Sequence, residues 1–478
     1  MVRHRLVLGL CAVLSVLLPA ASRAQAPTDA ARDSSTALAR AILKELVEIN
    51  TAPSGGAMSR ATAAMAERLV KAGYPREDVQ LAGPDSAHLN LVATLRGAAR
   101  EAGVKPIVLM AHVDVVEALA SDWSMDPFVL HETDGFFYGR GVTDNKGGAA
   151  LLVANMIRFK REGFVPARDI ILVLTTDEET SAAAGIGWLL AHVPVLRTAD
   201  YALNTDAGGL DEQPGKPPRF FLQSSEKMYQ TYEFVVTNRG GHSSLPRDDN
   251  AIYTLAHGLE RLERHRFPVQ YNAVTLMSFK RSATLEHGQR AADFAALARG
   301  VTSGPAVERL SKDPSINGNL RTTCVATMLG GGHAENALPQ RATATVNCRI
   351  FPGTSAAAVQ ATLARVVADT AIHVRLIGES TPSEASPLRK DVVGVVEAQA
   401  RRIWPGAVTI PVMENGATDG LFLRNQGVPV FGISGPLYDV ADDRAHGRDE
   451  RLGVRHFGEA LEFWYRTVRA LMSGAPSM

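Results

Sequence analysis

The sequence lacks a net charge, an internal repeat and any long apolar run beyond its first residues. Its 50 basic side chains balance 50 acidic ones, so we do not expect nucleic acid or an anionic membrane as a partner. Apolar residues make up 46% of the 478 and charged residues 21%, which is typical of an ordinary globular protein. This length predicts two or three domains.

The one apolar run, Leu6 to Leu18, follows Arg3 and Arg5 and is followed by small residues. This order is typical of a secretory signal, with cleavage after Ala24 or Ala26. The run is too short to span a bilayer comfortably, although an uncleaved anchor is the alternative. We therefore expect an exported protein, periplasmic or secreted, with no stable membrane association after residues 1–24 are removed.

Cysteine is scarce, with 3 in the chain, and Cys11 lies inside the signal. Cys324 and Cys348 lie on two apparent strands that a Gly-rich turn joins. An antiparallel hairpin centred near residue 336 places these two cysteines opposite each other, within bridging range. A disulfide is one expectation, in keeping with export. Two small buried apolar side chains are the other.

Strands and helices alternate up to Asp206, which predicts an α/β domain whose mostly parallel sheet is flanked by helices. A strand-helix-strand-strand-helix-strand order follows, interrupted by about forty further residues. It predicts a smaller α+β domain of ferredoxin-like order. The α/β pattern then resumes. The larger domain is therefore predicted to consist of two segments, 27–218 and 384–474, with the smaller domain, 219–383, inserted between them.

Several predicted strands of the larger domain end in acidic or histidine side chains. Glu178 and Glu179 follow the apolar run 170–174, and two adjacent carboxylates there are costly unless a cation meets them. The carboxyl ends of parallel strands meet at one edge of a sheet, where ligands bind. The candidates at this edge are His112, Asp114, Asp144, Glu178, Glu179 and Asp206, and His446 completes the set. Two histidines and three carboxylates, with another carboxylate left free, suit a pair of zinc ions and one bridging carboxylate.

Three segments carry a resemblance to a known family: 109–116 (LMAHVDVV), 138–148 (YGRGVTDNKGG) and 176–179 (TDEE). Over essentially the whole mature chain the sequence resembles the di-zinc exopeptidases and amidohydrolases. These include carboxypeptidase G, carboxypeptidase S, the cytosolic dipeptidases, succinyl-diaminopimelate desuccinylase and the aminoacylases. Trp123, Pro127-Phe128 and the segment 416–419 are most similar to the carboxypeptidase S branch. The resemblance implies a di-zinc exopeptidase domain interrupted by a lid domain.

The resemblance also implies a role for each candidate side chain. His112, Asp144 and Asp206 hold one zinc, and Asp144, Glu179 and His446 hold the other, with Co²⁺ or Mn²⁺ as substitutes. Glu178 is the general base, and Asp114 orients His112. The Asp144–Asn145 peptide is expected to be cis. Because adjacent side chains on an extended strand point in opposite directions, Glu178 and Glu179 share one site only if the chain bends just past Leu174.

Further roles fall outside the metal ligands. His242, in the segment 239–244, matches a histidine that stabilises the oxyanion and that dimeric relatives take from the partner subunit. The implied partner is thus a second copy, bound through the lid domain. Arg349 matches the residue that binds the substrate carboxylate, Asn336 matches a substrate-binding lid residue, and Thr418 contacts the same carboxylate.

These roles predict an exported exopeptidase, a dipeptidase or carboxypeptidase, that hydrolyses the amide bond before a C-terminal amino acid. An N-acyl-amino-acid hydrolase of the same chemistry is the alternative, and a non-catalytic binding protein is a more distant one. Aspartate at position 206 favours the peptidase, since some deacylases of the family have glutamate there.

Overall fold

The computed structural model describes residues 29–99 and 103–473. The predicted signal segment, with Cys11 and the cleavage sites at Ala24 and Ala26, lies outside these residues. Within them, no helix combines the length and the apolar character needed to cross a membrane.

The N-terminal half of the chain alternates between strands and helices. Its elements are α1 Asp29–Glu48, α2 Met58–Lys71, β1 Val79–Ala82, β2 Asn90–Leu95, β3 Ile107–His112, β4 His131–Thr133, β5 Phe136–Tyr138, α3 Lys146–Arg161, β6 Ile170–Thr175, α4 Ile186–His192, β7 Tyr201–Asn204, β8 Gly209–Asp211 and β9 Arg219–Glu226.

The central and C-terminal regions complete the chain. The central region contains β10 Met228–Thr237, β11 Gly241–His242, α5 Ala251–Arg264, α6 Ala273–Ala283, α7 Gly288–Ala298, α8 Pro305–Leu310, α9 Pro314–Leu320, β12 Thr323–Gly331, β13 Ala337–Leu338, β14 Arg341–Ile350, α10 Ala356–Val367 and β15 Ile372–Ile377. The C-terminal region contains α11 Lys390–Ile403, β16 Val408–Glu414, α12 Gly420–Asn425, β17 Val430–Gly432, β18 Arg451–Gly453 and α13 Val454–Met472.

The larger sheet has the strand order β1-β2-β6-β3-β7-β17-β9-β16, and β8 pairs with β9. Its centre, from β6 to β17, is parallel, and β1, β2 and β9 contribute antiparallel pairs. Strands β3 and β6 are buried along their whole length because helices cover both faces of the sheet. The predicted α/β domain with a mostly parallel sheet is confirmed.

The lid domain is a four-stranded antiparallel sheet in the order β12-β14-β10-β15. Helices α5 and α10 pack on one face of it, around Leu255, Val359 and Leu363. This is the predicted split order, and Cys324 and Cys348 are opposite each other and disulfide-bonded. The division of the chain into domains stays a prediction. However, β9, at the start of the segment predicted as lid, pairs with β16 in the larger sheet because Phe220 and Leu222 are buried in that core.

The interruption in the lid domain, predicted as about forty further residues, consists of four helices, α6 to α9. These helices share a small core of their own, and α6 packs against β16. Ion pairs Arg219–Glu286 and Arg281–Glu397, each at 3.1 Å, join them to the larger domain. The helical insertion therefore bridges the larger domain and the lid.

Candidate metal centre

Side chains from five separate segments meet at the carboxyl edge of the larger sheet. His112 ends β3, Glu178 and Glu179 follow β6, and Asp206 follows β7. Asp144 precedes α3, and His446 lies in the loop between β17 and β18. These residues border a cleft of about 740 Å³, with His112 buried behind the carboxylates. The structure thus brings together all five side chains that the sequence predicts as metal ligands.

Two groups of three potential ligands share Asp144. In one group, His112 Nε2 lies 2.9 Å from Asp144 Oδ1 and 3.4 Å from Asp206 Oδ1. In the other, His446 Nε2 lies 3.1 Å from Asp144 Oδ2 and 3.0 Å from Glu179 Oε2. Each oxygen of Asp144 faces a different histidine, and within each group the ligand atoms lie within 4.8 Å of one another. Imidazole and carboxylate groups at this spacing fit a pair of divalent ions with a bridging carboxylate.

The cluster carries more carboxylates than the two imidazoles can balance. Burial raises the pKa of Asp206 to about 7. Burial, and then the charge of Asp206, raise the pKa of Glu178 well above its usual value. Hydrogen bonds to Asp144 and Glu179 raise the pKa of His446 to about 10. The protein by itself thus offsets the crowded negative charge by holding protons, and a metal ion that binds there displaces them.

The loop that carries Asp144 is shaped by Glu450. The Glu450 carboxylate accepts hydrogen bonds from Thr143 N at 2.8 Å, Thr143 Oγ1 at 2.7 Å and Asp144 N at 3.2 Å, and it pairs with Arg140 at 2.8 Å. The Asp144–Asn145 peptide is cis, as expected from the resemblance. Glu450 lies four residues after His446, so one buried carboxylate ties both ligand loops together. Sequence reasoning missed it, because an acid among Arg444, Arg448 and Arg451 looks like ordinary surface charge.

The start of α3 approaches β7 closely. A Cβ atom at Gly148 would lie 2.2 Å from Thr205 Oγ1, so only glycine fits there. Thr205 Oγ1 in turn donates to Asn145 Oδ1 at 2.6 Å. This contact brings Asp144 next to Asp206 and explains Gly148, whereas a Cβ atom at Gly147 would lie 2.2 Å from Val142 O.

A turn directs Glu178 and Glu179 into the same cleft. Asp177 forms this turn by accepting hydrogen bonds from Ser181 Oγ at 2.7 Å and Ala184 N at 2.8 Å. The backbone N–H of Glu179 donates to Asp114 Oδ2 at 2.9 Å. Strand β6 ends at Thr175, so the chain bends just beyond the predicted position.

Asp114 lies beside His112, but its carboxylate is not the nearest partner of the ring. His112 Nδ1 donates to the backbone oxygen of Asp114 at 3.0 Å, whereas Asp114 Oδ1 is 3.6 Å away. The main chain therefore orients the imidazole at least as directly as the carboxylate does. The same carboxylate holds the backbone of Glu179, so Asp114 positions residues of both ligand groups.

Arg349 borders the same cleft from the lid domain. Its guanidinium lies over the ring of Tyr229, 4.7 Å from the centroid. Burial lowers the pKa of Arg349, although an arginine stays charged at any physiological pH. It forms no ion pair with any residue of 29–99 or 103–473. A forked cation without a protein counter-ion is thus directed at the cleft.

Thr418 also borders the cleft but is mostly buried. Its hydroxyl donates to Glu226 Oε2 at 3.1 Å, and its backbone N–H donates to the same oxygen. Glu226 is fully buried and paired with Arg424. The hydroxyl proton of Thr418 is therefore engaged inside the protein, and its contact with a substrate stays a prediction.

His242 and Asn336 lie together, outside the cleft. His242 ends β11 and Asn336 directly precedes β13 of a two-stranded ribbon; both are exposed, and Ser243 N donates to Asn336 O at 3.0 Å. His242 Nδ1 accepts from Ser244 N at 3.2 Å, which leaves Nε2 exposed. Neither residue borders the cleft of its own chain, and their predicted roles stay predictions.

Glu414 is a cleft residue that sequence reasoning missed. It ends β16, and its Oε1 accepts a hydrogen bond from Gly208 N at 2.7 Å, two residues from Asp206. Burial raises the pKa of Glu414 to about 8. The rule that found the other candidates, an acidic side chain at the end of a strand, applies here as well. Glu414 adds a carboxyl group to the cleft that belongs to neither ligand group.

Comparisons with known proteins bear directly on this site. Residues 108–470 match the model of peptidase family M20/M25/M40. Human N-fatty-acyl-amino acid synthase/hydrolase PM20D1 is 28% identical over 393 residues, or 79% of this chain and 76% of the relative. Probable carboxypeptidase S-like 2 of Dictyostelium discoideum is 26% identical over 399 residues, or 80% and 74%. The M20 family metallo-carboxypeptidase Sso-CP2 from Sulfolobus solfataricus shares the fold, with a TM-score of 0.69 and 17% identity, covering 91% of this chain and 99% of that one.

Proposed function

The chain belongs to peptidase family M20/M25/M40, and we propose that it hydrolyses the amide bond before a C-terminal amino acid, as a dipeptidase or carboxypeptidase. The resemblance inferred from the motifs is confirmed, and with it the class of enzyme, a metallopeptidase or amidohydrolase. A non-catalytic binding protein is therefore no longer an alternative. The observation that carries the proposal is the unpaired guanidinium of Arg349 in the same cleft as the metal ligands.

We assign two zinc ions per chain to the two groups that share Asp144, with Co²⁺ or Mn²⁺ as substitutes. Two histidines with carboxylates are a zinc-like donor set. Ions held there supply an activated water near neutral pH and polarise the scissile carbonyl. The chain itself supplies the substrate contacts and the proton transfers.

Arg349 binds the substrate and Glu178 transfers the protons in this proposal. The N–H groups of Arg349 match the two oxygens of the substrate carboxylate, which fixes the scissile bond relative to the metal ligands. Glu178 takes a proton from the attacking water and delivers it to the nitrogen of the leaving amino acid. Burial raises the pKa of Glu178, which makes its carboxylate a stronger base for the first of these steps.

The acyl side of the cleft decides between peptides and N-acyl amino acids. Glu414 provides a carboxyl group for the amino group of a dipeptide, which favours the peptidase. The apolar side chains of Phe221, Val412 and Met413 border the same cleft, and the human relative is a fatty-acyl-amino acid hydrolase. These two observations favour an N-acyl-amino-acid hydrolase as the second candidate.

A substrate panel tests the proposal. Dipeptides, longer peptides and N-acyl amino acids are assayed with added zinc, each beside its C-terminally amidated form. We expect hydrolysis of dipeptides or peptides with a free carboxylate and little hydrolysis of amidated forms. Preference for fatty-acyl amino acids would select the second candidate, and no amide hydrolysis at all would contradict both.

Arg349→Ala is expected to raise KM by about tenfold to a hundredfold, the value of a paired charge-assisted hydrogen bond. The substrate loses its carboxylate contact, while kcat changes less because the metal ligands are untouched. Arg341→Ala is the matched control. Arg341 lies on the same strand, is exposed and pairs with Glu233. An unchanged KM in Arg349→Ala would contradict the assignment.

A homodimer through the lid domain supplies His242. Strand β12 is an edge strand with exposed apolar side chains, including Met328 (70% exposed) and Leu329 (74%). Exposed edge strands of this kind pair readily with another chain. Ile252 and Tyr253 on α5 extend the apolar surface. In such a dimer, the exposed Nε2 of His242 reaches the cleft of the other copy and stabilises the oxyanion there.

Subunit mixing tests this arrangement. His242→Ala and Glu178→Gln are each expected to be nearly inactive alone. If His242 acts across the dimer, an equal mixture regains about a quarter of the wild-type activity, since half of the random dimers have one complete site in two. No recovery after confirmed subunit exchange, or full activity in a monomer by sedimentation, would contradict this model.

The disulfide supports export, because such bonds persist in oxidising compartments. Sequencing the amino terminus of the mature protein would show whether cleavage follows Ala24 or Ala26. An intact Met1 in an intracellular fraction would contradict export.

A further inference from the structure

Arg349 depends on its strand for its position. Its side chain makes no ion pair and no hydrogen bond within the described residues. The guanidinium lies over the ring of Tyr229, which is the residue opposite Arg349 on β10. On its other side, Arg349 is paired with Thr323 on β12. The guanidinium is therefore placed by the register of β14 between these two neighbours.

Of the two neighbouring strands, β12 is held by fewer strand pairings than β10. It forms the edge of the lid sheet, pairs only with β14, and has an irregularity between Ala326 and Met328. Every residue of it from Val325 to Gly331 is exposed. Within one chain, a single ladder fixes the register of this edge strand, whereas a strand inside the sheet has two.

The Cys324–Cys348 disulfide joins β12 to β14 directly beside Arg349. Cys348 precedes Arg349, and Cys324 follows its partner Thr323. The two Cα atoms are 4.1 Å apart. Side chains alternate along β14, so Cys348 is buried in the lid core while Arg349 faces the cleft.

Polar contacts hold the residues just before β12 in place. Lys227 Nζ donates to Arg321 O at 2.7 Å, and Phe351 N donates to Thr322 Oγ1 at 3.0 Å. Upstream, Ser315 and Asn319 of α9 border the cleft. Beyond Thr323, the disulfide is the one covalent link from β12 to β14 in the described chain.

We propose that the Cys324–Cys348 disulfide positions Arg349, so that affinity for the substrate carboxylate depends on the oxidised state of this bond. The inference rests on the proposed role of Arg349. A dithiol reductant breaks the S–S bond, passing two electrons and two protons to the cysteines and closing into a cyclic disulfide itself. Strand β12 then loses its covalent link to β14, and Arg349 loses a fixed neighbour.

The double variant Cys324→Ala/Cys348→Ala tests the proposal with the holoenzyme. We expect KM for a substrate with a free carboxylate to rise about threefold to tenfold, since small misplacement of a binding group is costly. We expect kcat and bound metal to stay near wild type. Wild-type enzyme reduced with dithiothreitol should show the same rise, reversed on reoxidation, provided that thiol titration confirms reduction.

The matched control separates positioning from loss of stability. Val359→Ala removes buried volume from the same lid core without touching β12. It should lower the melting temperature and leave KM unchanged. An unchanged KM in the double cysteine variant would overturn the proposal, as would an equal rise in Val359→Ala. If wild-type enzyme hydrolyses the panel and Arg349→Ala raises KM, such a result overturns only the role of the disulfide.

Discussion

Glu178→Gln is expected to lower kcat by about 10²–10⁴-fold, the usual contribution of a general acid–base. Glu178 borders the cleft and has metal-ligand spacing to His112 and Glu179, but it makes no hydrogen bond or ion pair with either histidine in the described structure. Glutamine keeps its shape and cannot carry the proton. Kinetics at saturating substrate, together with metal analysis of the purified variant, measure the effect.

Glu179→Gln provides the matched comparison at the adjacent position. Glu179 lies 3.0 Å from His446 and belongs to the second ligand group, so its variant should lose metal as well as activity. The two neighbours should thus differ in metal content while both lose turnover. Near wild-type kcat in Glu178→Gln, or loss of metal from it, would show that Glu178 is not the proton carrier.

Asp144→Asn is expected to disrupt both metal positions at once. Asp144 contributes one oxygen to each ligand group, and Glu450 holds its loop in place. We expect the variant to bind fewer than one ion per chain and to lose at least about 10⁴-fold in activity. A loss of this size is possible because enzymes typically accelerate their reactions by about 10⁶-fold or more. Asp206→Asn, which affects one group only, should lose one ion and keep the other.

The chain offers a control for the metal analysis. Glu212, His456 and Glu459 form another group with metal-ligand spacing, on the protein surface. Arg455 lies 2.7 Å from Glu212 and supplies the positive charge there. Glu212→Gln should therefore leave both metal content and activity unchanged. If Asp144→Asn retained two ions, or if Glu212→Gln lost one, the assignment of the metal centre would be wrong.

The sequence was most informative where chemistry depends on a short segment. Ile170–Leu174 is recognisable as a buried strand, and the glutamates after it are costly without a cation, so one segment indicates both structure and function. His112 and Asp206 were predicted in the same way, since each stands at or just after the end of a predicted strand. Local patterns gave no indication of β9, which lies in the segment predicted as lid but pairs with β16 in the larger sheet, because no local pattern shows which sheet buries a strand.

Glu414 and Glu450 show why the rest was missed. Glu450 stands among arginines, and Glu414 ends a strand as other candidates do, but nothing near either residue in the sequence marks the contact that it makes. Their importance comes from Gly208 and Thr143, which lie far away along the chain. Long-range contacts of this kind depend on the packing of whole elements, which no local pattern encodes.

The sequence by itself determined the family, the α/β fold with its split lid, and the candidate ligands that the structure brings to one edge. It could do so because parallel strands bring their carboxyl ends to one edge, whatever the details of packing. The tertiary structure decided which side chains share that edge in one chain. It places Arg349 in the cleft without a counter-ion, engages Thr418 with Glu226, and leaves His242 on an exposed ribbon. These outcomes follow from sheet register and domain packing, which fix where a side chain points.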